Sequence, residues 1–213
     1  MIIDEVLPTF EYRVDVHVVV DASPATTFAA IDTANLLDDP IVRMLSEVRD
    51  VPNRVARRMR GDAMANPKRF TFADNASTGA WVDLGETPGL ERVTGAVGRF
   101  WQRDYGWVPV TPGEFRTFSE PGYAKTVVAF SVRPYGEHRT LLSMDSRTGV
   151  TDDEARRRFG RYWLLVRPFA RVMMRHGLQC VKSEAEVLAH HTRPEAEVVL
   201  SPPNGLVRTG AGS

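Results

Sequence analysis

The chain has 213 residues, of which 43% are hydrophobic and 25% are charged, and these proportions are ordinary for a folded domain of moderate size. Its 27 Lys and Arg residues balance 27 Asp and Glu residues. A formal net charge of zero argues against a nucleic-acid-binding protein, which usually carries a basic excess on one face. Cys180 is the single cysteine, so the chain can form neither an internal disulfide nor a cysteine-based metal cluster.

The first ten residues, MIIDEVLPTF, do not have the pattern of a signal peptide, because they lack a basic start and carry Asp4 and Glu5. No run of the sequence approaches the roughly 18 apolar residues that a membrane-spanning helix requires. We therefore expect a cytoplasmic protein that is not integral to a membrane.

The first clear element is a strand over residues 12–20, YRVDVHVVV, in which valines alternate with polar residues and so share one face. The sequence DASPATTFAAIDTANL follows directly. Within it, Ser23 is suited to cap a helix, and Pro24 is suited to the first helical position, where its missing N–H costs nothing. The chain is therefore predicted to open with a strand, a tight turn and a helix.

Residues 39–68 are predicted to contain helices, because Ile41, Leu45 and Val48 are spaced for one helical face. Several arginines follow within residues 54–60. This segment can be read as a helical lid, as a contact surface for anionic lipid or an acidic partner, or as an ordinary solvated helical insertion. The sequence leaves these interpretations open.

From Arg69 onward the sequence indicates a run of antiparallel strands, because short β-branched and aromatic segments are separated by Gly, Pro and Asn. The first three segments are PKRFTFA, GAWVDLGE and ERVTGAVGRFW. A long hairpin follows, with arms at residues 124–133 and 139–148 and a loop at 134–138. These segments predict a meander-like antiparallel sheet.

The last predicted element is a long amphipathic helix that begins at Thr151, which we expect to cap it with Glu154 as the capping-box partner. Large apolar residues then recur every three or four positions as far as Met173. Pro, Gly and polar residues dominate the end of the chain, which is typical of a flexible tail. We therefore predict one domain over residues 1–188 and a tail over 189–213.

Two segments carry a resemblance to a known superfamily: VVVDASPATTFAAIDT at 18–33 and RPYGEHRTLLSMDSRTGVTDDEARRRFGRYWLLVRP at 133–168. With the strands between them, the order of elements over about residues 10–188 resembles the helix-grip fold of the START superfamily, also called SRPBCC. The superfamily includes lipid-transfer domains, bacterial polyketide cyclase/dehydrase-like proteins and the birch-pollen allergen type. The resemblance implies an α+β fold, in which a curved antiparallel sheet wraps around the long C-terminal helix, with short helices after the first strand.

The resemblance also implies a cavity for a hydrophobic ligand between the sheet and the helix. On the helix, the residues expected to face this cavity are Phe159, Tyr162, Trp163, Val166, Phe169 and Met173. On the sheet side, the expected wall is Trp81, Phe100, Trp101, Phe115, Phe118, Phe130 and Met144. The alternative is a closed core, because an aromatic stripe at helical spacing is commonly core.

Three functions remain open. The first is binding of a hydrophobic or amphipathic small molecule: a lipid, a polyketide-like compound or an aromatic compound. The second is an enzyme of polyketide cyclase/aromatase type, in which Tyr162 or the pair Asp145 and Arg147 would move protons. Solvated ion pairing is the alternative for that pair, which lies on the side of its strand opposite to Met144. The third is a co-chaperone-like interaction module that uses residues 39–68.

Neither a metal nor a cofactor is predicted. The five histidines show no metal-ligand spacing, and the sequence GAVGRF lacks the third glycine and the strand-to-helix context of a dinucleotide fingerprint. The expected partner is a hydrophobic small molecule and not a nucleic acid, and the protein is expected to be a monomer or a homodimer.

Overall fold

One antiparallel sheet and one long helix dominate the computed structural model, which describes residues 1–40, 71 and 80–192. The elements in chain order are α1 (Ile2–Val6), β1 (Tyr12–Val20), α2 (Pro24–Thr33), a 3-10 turn (Leu36–Asp38), β2 (Val82–Thr87), β3 (Glu91–Gly98), α3 (Pro112–Thr117), β4 (Ala124–Tyr135), β5 (Arg139–Val150) and α4 (Asp153–Thr192). The predicted α+β class, with a curved antiparallel sheet and a long C-terminal helix, is confirmed.

The sheet has the strand order β1-β5-β4-β3-β2, and every neighbouring pair is antiparallel. The last four strands form the predicted meander, while β1 pairs with the last strand over the register Tyr12↔Thr148 to Val20↔Thr140. The alternation predicted for β1 is confirmed, because Val14 and Val16 are buried while Arg13 and His17 are exposed. The first strand of the chain therefore completes the sheet beside the last one.

The turn from β1 into α2 has the predicted local chemistry. The hydroxyl of Ser23 accepts a hydrogen bond from the N–H of Thr26 at 3.2 Å, and Pro24 occupies the first turn of the helix. The hydroxyl of Thr140 donates to the carbonyl of Ala22 at 2.7 Å, which ties the turn to β5. This anchoring lets α2 pack on α4 over the inner face of the sheet.

The start of α4 differs by one residue from its prediction. The carboxylate of Asp152, not the hydroxyl of Thr151, accepts a hydrogen bond from the N–H three residues later, that of Ala155, at 2.6 Å. Thr151 instead accepts from the N–H of Tyr123 at 2.9 Å and donates to its carbonyl at 3.0 Å. Thr and Asp are both suited to cap a helix, so the local sequence did not show which of the two residues would do so. Thr151 does not cap α4 because its hydroxyl is bonded to the backbone of Tyr123.

The C-terminal part of α4 is core. Met174, Leu178, Val181 and Ala185 are buried together with the valines of β1. The helix is continuous to Thr192, which extends it beyond residue 188, the predicted end of the domain.

Two short helices, α1 and α3, cover the other face of the sheet, and neither was predicted. The carboxylate of Glu91 accepts hydrogen bonds from the N–H groups of Ile2 at 2.9 Å and Ile3 at 3.3 Å, and so holds the start of α1. At α3, Thr111 and Glu114 form a reciprocal capping box. The sequence TPGE contained this signal, since a Thr three residues before a Glu with an intervening Pro marks a helix start.

The chain segments predicted as a lid or contact surface (39–68) and as the strand PKRFTFA lie almost wholly outside the described residues. Within the described ranges, no helix combines the length and apolar character needed to span a membrane.

Candidate functional site

A cavity of about 740 Å³ lies between α4 and the inner face of the sheet. The predicted residues that line it are Trp81, Phe100, Phe130, Met144, Phe159, Tyr162, Trp163, Val166 and Met173, together with Phe169. Phe169 is 59% exposed, so the cavity reaches the surface beside it.

Three residues expected in the cavity wall lie elsewhere. Phe115 and Phe118 belong to α3 and its C-terminal end and pack with Ile3 and Val93 on the opposite face of the sheet. The sequence analysis placed them on the sheet side of the cavity, whereas α3 packs them against the face of the sheet that points away from it. Trp101 contacts the Phe159 ring edge-on at 6.4 Å but does not line the cavity.

One end of the cavity is an aromatic cluster centred on Phe159, which is 2% exposed. Its ring centroid lies 4.7 Å from that of Tyr12 and 5.7 Å from those of Tyr162 and Trp163, the last in a stacked arrangement. Phe100 contacts it edge-on at 6.4 Å. Contacts of this kind contribute about 0.5–1.5 kcal/mol each beyond burial, so the rings stabilise one another's positions.

The loop between β3 and α3 adds Tyr105 and Trp107 to the cavity wall, and sequence reasoning missed both. The N–H of Arg99 donates to the carbonyl of Tyr105 at 2.7 Å, and Val97 pairs with Val108 across the loop. The ring of Trp107 then lies 5.4 Å from that of Phe100. No periodic pattern marks a loop residue as cavity wall, because the contact depends on this closure.

The other end of the cavity is charged, and this was also missed. The guanidinium of Arg92 on β3 donates to the carboxylates of Asp32 on α2 and Glu86 on β2. Burial alone would lower the pKa of Arg92, but its bond to Glu86 and the nearby charges of Asp32 and Asp83 raise the pKa above its usual value. Asp32, Asp83 and Arg92 all line the cavity. The alternation of β3 could have predicted that Arg92 faces inward, but it could not have predicted that Asp32 and Glu86 are its partners.

Hydroxyl groups line the floor between these two ends. Thr126 and Thr148 are cross-strand neighbours on β4 and β5, and the hydroxyl of Thr148 donates to that of Thr126 at 3.1 Å. The hydroxyl of Thr126 donates in turn to the carbonyl of Arg147 at 3.3 Å. Thr94 and Ser146 also line the cavity, so its wall is mixed rather than wholly apolar.

The candidate pair Asp145 and Arg147 lies on the face of β5 that points away from the cavity. Arg147 donates to Asp145 at 3.1 Å and to Asp4 at 2.7 Å, and Arg13 donates to Asp145 at 3.0 Å. Burial would lower the pKa of Arg147, but Asp4 and Asp145 raise it. Because alternate residues of a strand point to opposite faces, the pair does not line the cavity under α4, and its contacts agree with the ion-pairing alternative. Tyr162 is the sequence-predicted catalytic candidate that the cavity retains.

Two other reactive groups of α4 lie near Asp39, which follows the 3-10 turn. His176 contacts the carboxylate of Asp39 at 2.8 Å. Burial and the charge of Asp39 raise the pKa of the Cys180 thiol, which keeps it protonated at neutral pH. Among the residues that the structure describes, no group of three His, Cys, Asp or Glu side chains could hold a metal ion.

The fold and this site define a class: an α+β protein with a ligand-sized cavity between an antiparallel sheet and its C-terminal helix. No family model matches the chain. No curated protein matches it either. Among solved structures, TTHA0849 from Thermus thermophilus is similar at 9% identity over 84% of this chain and 99% of that one, with a TM-score of 0.33. A similarity of this size carries no conclusion about the present chain.

Proposed function

We propose that the chain is a helix-grip protein of the START (SRPBCC) type that binds a hydrophobic or amphipathic small molecule between the sheet and α4. The observation that carries the proposal is the cavity itself. Its volume of about 740 Å³ lies within the roughly 300–1,000 Å³ that is usual for small-molecule sites. A closed core would leave no such space, because protein interiors are packed nearly as densely as organic crystals.

The cavity wall supports an amphipathic ligand. Phe100, Trp107 and Trp163 present apolar surface at one end, whereas Asp32 and Arg92 present charge at the other. Both ends are connected along β3, whose residues from Arg92 to Gly98 span about 20 Å at the usual rise per residue. An elongated lipid, polyketide-like or aromatic ligand would lie along β3, with its polar group near Arg92.

Apolar burial would supply most of the affinity. A ligand that buries ~300 Å² of apolar surface gains about 7 kcal/mol, before the cost of losing its translational freedom is subtracted. The ring cluster around Phe159 is already ordered by its own contacts, so little further side-chain entropy is lost on binding.

Native mass spectrometry of the purified chain, followed by organic extraction, tests the proposal. We expect a discrete added mass that is lost on denaturation. A bare chain that also fails to take up a neutral apolar reporter such as N-phenyl-1-naphthylamine would contradict ligand binding.

A cyclase/aromatase-type activity is a second candidate, favoured by the polar groups inside the cavity. Tyr162, Thr94 and Asp83 line the same space as the aromatic wall, and a folded polyketide chain held there would find hydrogen-bond donors and a carboxylate base. The test is the product distribution from a poly-β-ketone thioester, compared between the native chain and Tyr162→Phe. Unchanged products would remove this candidate and leave binding as the function.

A further inference from the structure

The solvent-facing side of α4 concentrates positive charge in a chain whose charges balance overall. Between Ala155 and Ser183 the helix contains eight Arg and Lys residues and no Asp or Glu. The whole chain, by contrast, has 27 residues of each sign. Charge collected on one element produces a local positive potential that a formal net charge of zero conceals.

Some of this charge is paired within the part of the chain that the structure describes, and several other basic side chains of α4 are exposed. Arg158, for example, pairs with Glu154 at 2.5 Å. Others are exposed and form no ion pair with any residue in the described ranges 1–40, 71 and 80–192; these are Arg161, Arg167, Arg171 and Arg175. These four guanidinium groups are exposed on α4, where they can meet an anionic surface.

Large apolar side chains are exposed among these arginines. Leu164 is 79% exposed, Leu165 73%, Phe169 59% and Val172 41%. Leu165, Phe169 and Val172 follow the spacing i, i+4, i+7, so they form one strip along the helix. Phe169 also lines the cavity, which makes this strip continuous with the cavity mouth. Such an exposed apolar strip marks an interaction surface.

We propose that this face of α4 docks on an anionic lipid surface. The strip would enter the boundary between headgroups and acyl chains, while the arginines meet lipid phosphates. A nucleic acid would also attract the arginines, but its charged backbone would not bury the Leu and Phe side chains that are exposed beside them. Charge and apolar surface together therefore favour a membrane as the partner.

Docking in this orientation directs the cavity mouth at Phe169 toward the bilayer. A hydrophobic ligand could then pass between the membrane and the cavity without crossing water. This exchange step rests on the proposed ligand binding. Docking does not rest on ligand binding, and vesicle binding by the ligand-free chain measures it separately.

The test is flotation of the full chain with vesicles of phosphatidylcholine alone and of phosphatidylcholine mixed with phosphatidylglycerol. We expect at least about 100-fold tighter binding to the anionic vesicles, because each arginine near such a surface contributes about fivefold. Raising the salt from about 0.1 M to 1 M should abolish the preference, since the screening length falls from about 10 to 3 Å.

Variants locate the docking face. The triple variant Arg161→Gln, Arg171→Gln, Arg175→Gln should weaken binding to anionic vesicles by about 100-fold. The double variant Leu165→Gln, Val172→Gln should weaken binding to the same vesicles without affecting salt dependence. All five positions are exposed, so circular dichroism melts should stay close to those of the native chain.

A matched control removes the same charge elsewhere: Arg116→Gln, Arg133→Gln, Arg139→Gln, at exposed positions on α3 and on the β4–β5 hairpin. This triple should retain vesicle binding to within about threefold. The proposal is overturned by equal binding of the native chain to both vesicle types, by an equal loss in the control triple, or by tighter binding to duplex DNA than to anionic vesicles. Vesicle binding that fails while a ligand is still extracted would remove docking and leave the proposed function standing.

Discussion

Arg92 brings a positive charge to the inner face of a sheet whose other lining residues are Thr, Ser, Val, Phe and Met, together with Asp83 on β2. It is held there by Asp32 and Glu86, and its guanidinium also lies 5.9 Å from the ring of Phe28. These partners hold the side chain in one place, so a ligand meets a preorganised polar end rather than a mobile one. Arg92 thus makes one end of the cavity polar, whereas the other end is aromatic.

Trp163 is the residue whose replacement best separates binding from folding. Its ring stacks on Phe159 and lines the cavity. Trp163→Ala should weaken binding of the extracted ligand, or of N-phenyl-1-naphthylamine, by roughly tenfold, because one aromatic wall is lost. Fluorescence titration measures the loss of ligand affinity, and thermal melts measure any loss of stability.

The control for Trp163 is Trp101→Ala, which truncates a ring of the same cluster that does not line the cavity. Trp101→Ala should lower Tm but leave ligand affinity within about twofold. Equal loss of affinity in both variants would mean that Trp163 acts only through core packing.

Asp152 links stability to acid pH. Its carboxylate accepts from the N–H of Ala155 at 2.6 Å and from that of Gly122 at 2.6 Å, and these bonds hold its pKa below the usual value. Since the folded pKa is lowered, the stabilisation is fully present above the unfolded pKa of about 3.9 and is lost as pH falls through the folded pKa. Asp152→Asn should lower Tm at neutral pH, because an amide oxygen replaces only one of two acceptors, and should flatten the acid dependence of Tm.

Asp153→Asn is the matched control for Asp152, because its carboxylate contacts the side chain of Arg156 at 3.1 Å and is largely exposed. Its melts between about pH 2 and 5 should follow those of the native chain. A steeper acid dependence in Asp152→Asn than in the native chain would contradict the assigned role.

Among the elements, the loop over residues 99–107 contributes most that periodicity does not reveal. It leaves β3 at Gly98, where an added Cβ would lie 2.7 Å from the carbonyl oxygen of Tyr105. The loop can close this tightly only because the position has no side chain. Closure in turn presents Tyr105 and Trp107 to the cavity.

Gly98→Ala should therefore disturb both the fold and the cavity. Backbone must shift to relieve the clash, so we expect a destabilisation of about 1–3 kcal/mol and weaker ligand binding. Gly113→Ala in α3 is the control, since an added Cβ there meets nothing within 4 Å and alanine is the better helix former. If Gly98→Ala melts like Gly113→Ala, the close approach does not control the loop.

The two short helices explain how a sheet in this protein comes to be covered on both faces. Phe115 of α3 and Ile3 of α1 are buried against Val93 and Val127, on the side away from α4. On β3, Val93 and Val97 point this way and are buried, whereas Arg92 and Thr94 point inward to the cavity. An antiparallel sheet with one wet face would carry polar residues at the positions of these valines.

At the scale of the whole molecule, the cavity is the space that one inner sheet face, α2 and α4 leave between them. Filling it should stabilise the fold by mass action. With ligand at about 100 times its Kd, the gain is about 2.7 kcal/mol, which corresponds to a rise in Tm of about 5–10 °C for a chain of this size. Differential scanning fluorimetry against ligand concentration measures this shift.

The same titration on Trp163→Ala should show a smaller shift at each concentration. A reporter whose fluorescence rises without any rise in Tm would be binding outside the folded cavity, and that result would contradict the proposed site.

Local patterns by themselves determined β1, the Ser23-capped turn, the β4–β5 hairpin and the inner stripe of α4. Each of these depends on a period of two or 3.6 residues, or on a cap only a few residues long, and such signals are complete within a short window. The stripe supplied Phe159, Tyr162 and Trp163 at the aromatic end of the cavity. The TPGE capping box was equally local, and it would have predicted α3.

Tertiary structure alone decided the rest. A strand period shows that alternate residues face opposite ways, but not what covers each face. Phe115, which was expected in the cavity wall, lies on a helix that covers the opposite face, where Asp145 and Arg147 form their ion pairs. The pairing of Arg92 with Asp32 joins residues 60 positions apart, and Trp107 enters the wall through a closed loop. Contacts of that kind depend on the assembled sheet and helix, because no short window of sequence contains both partners.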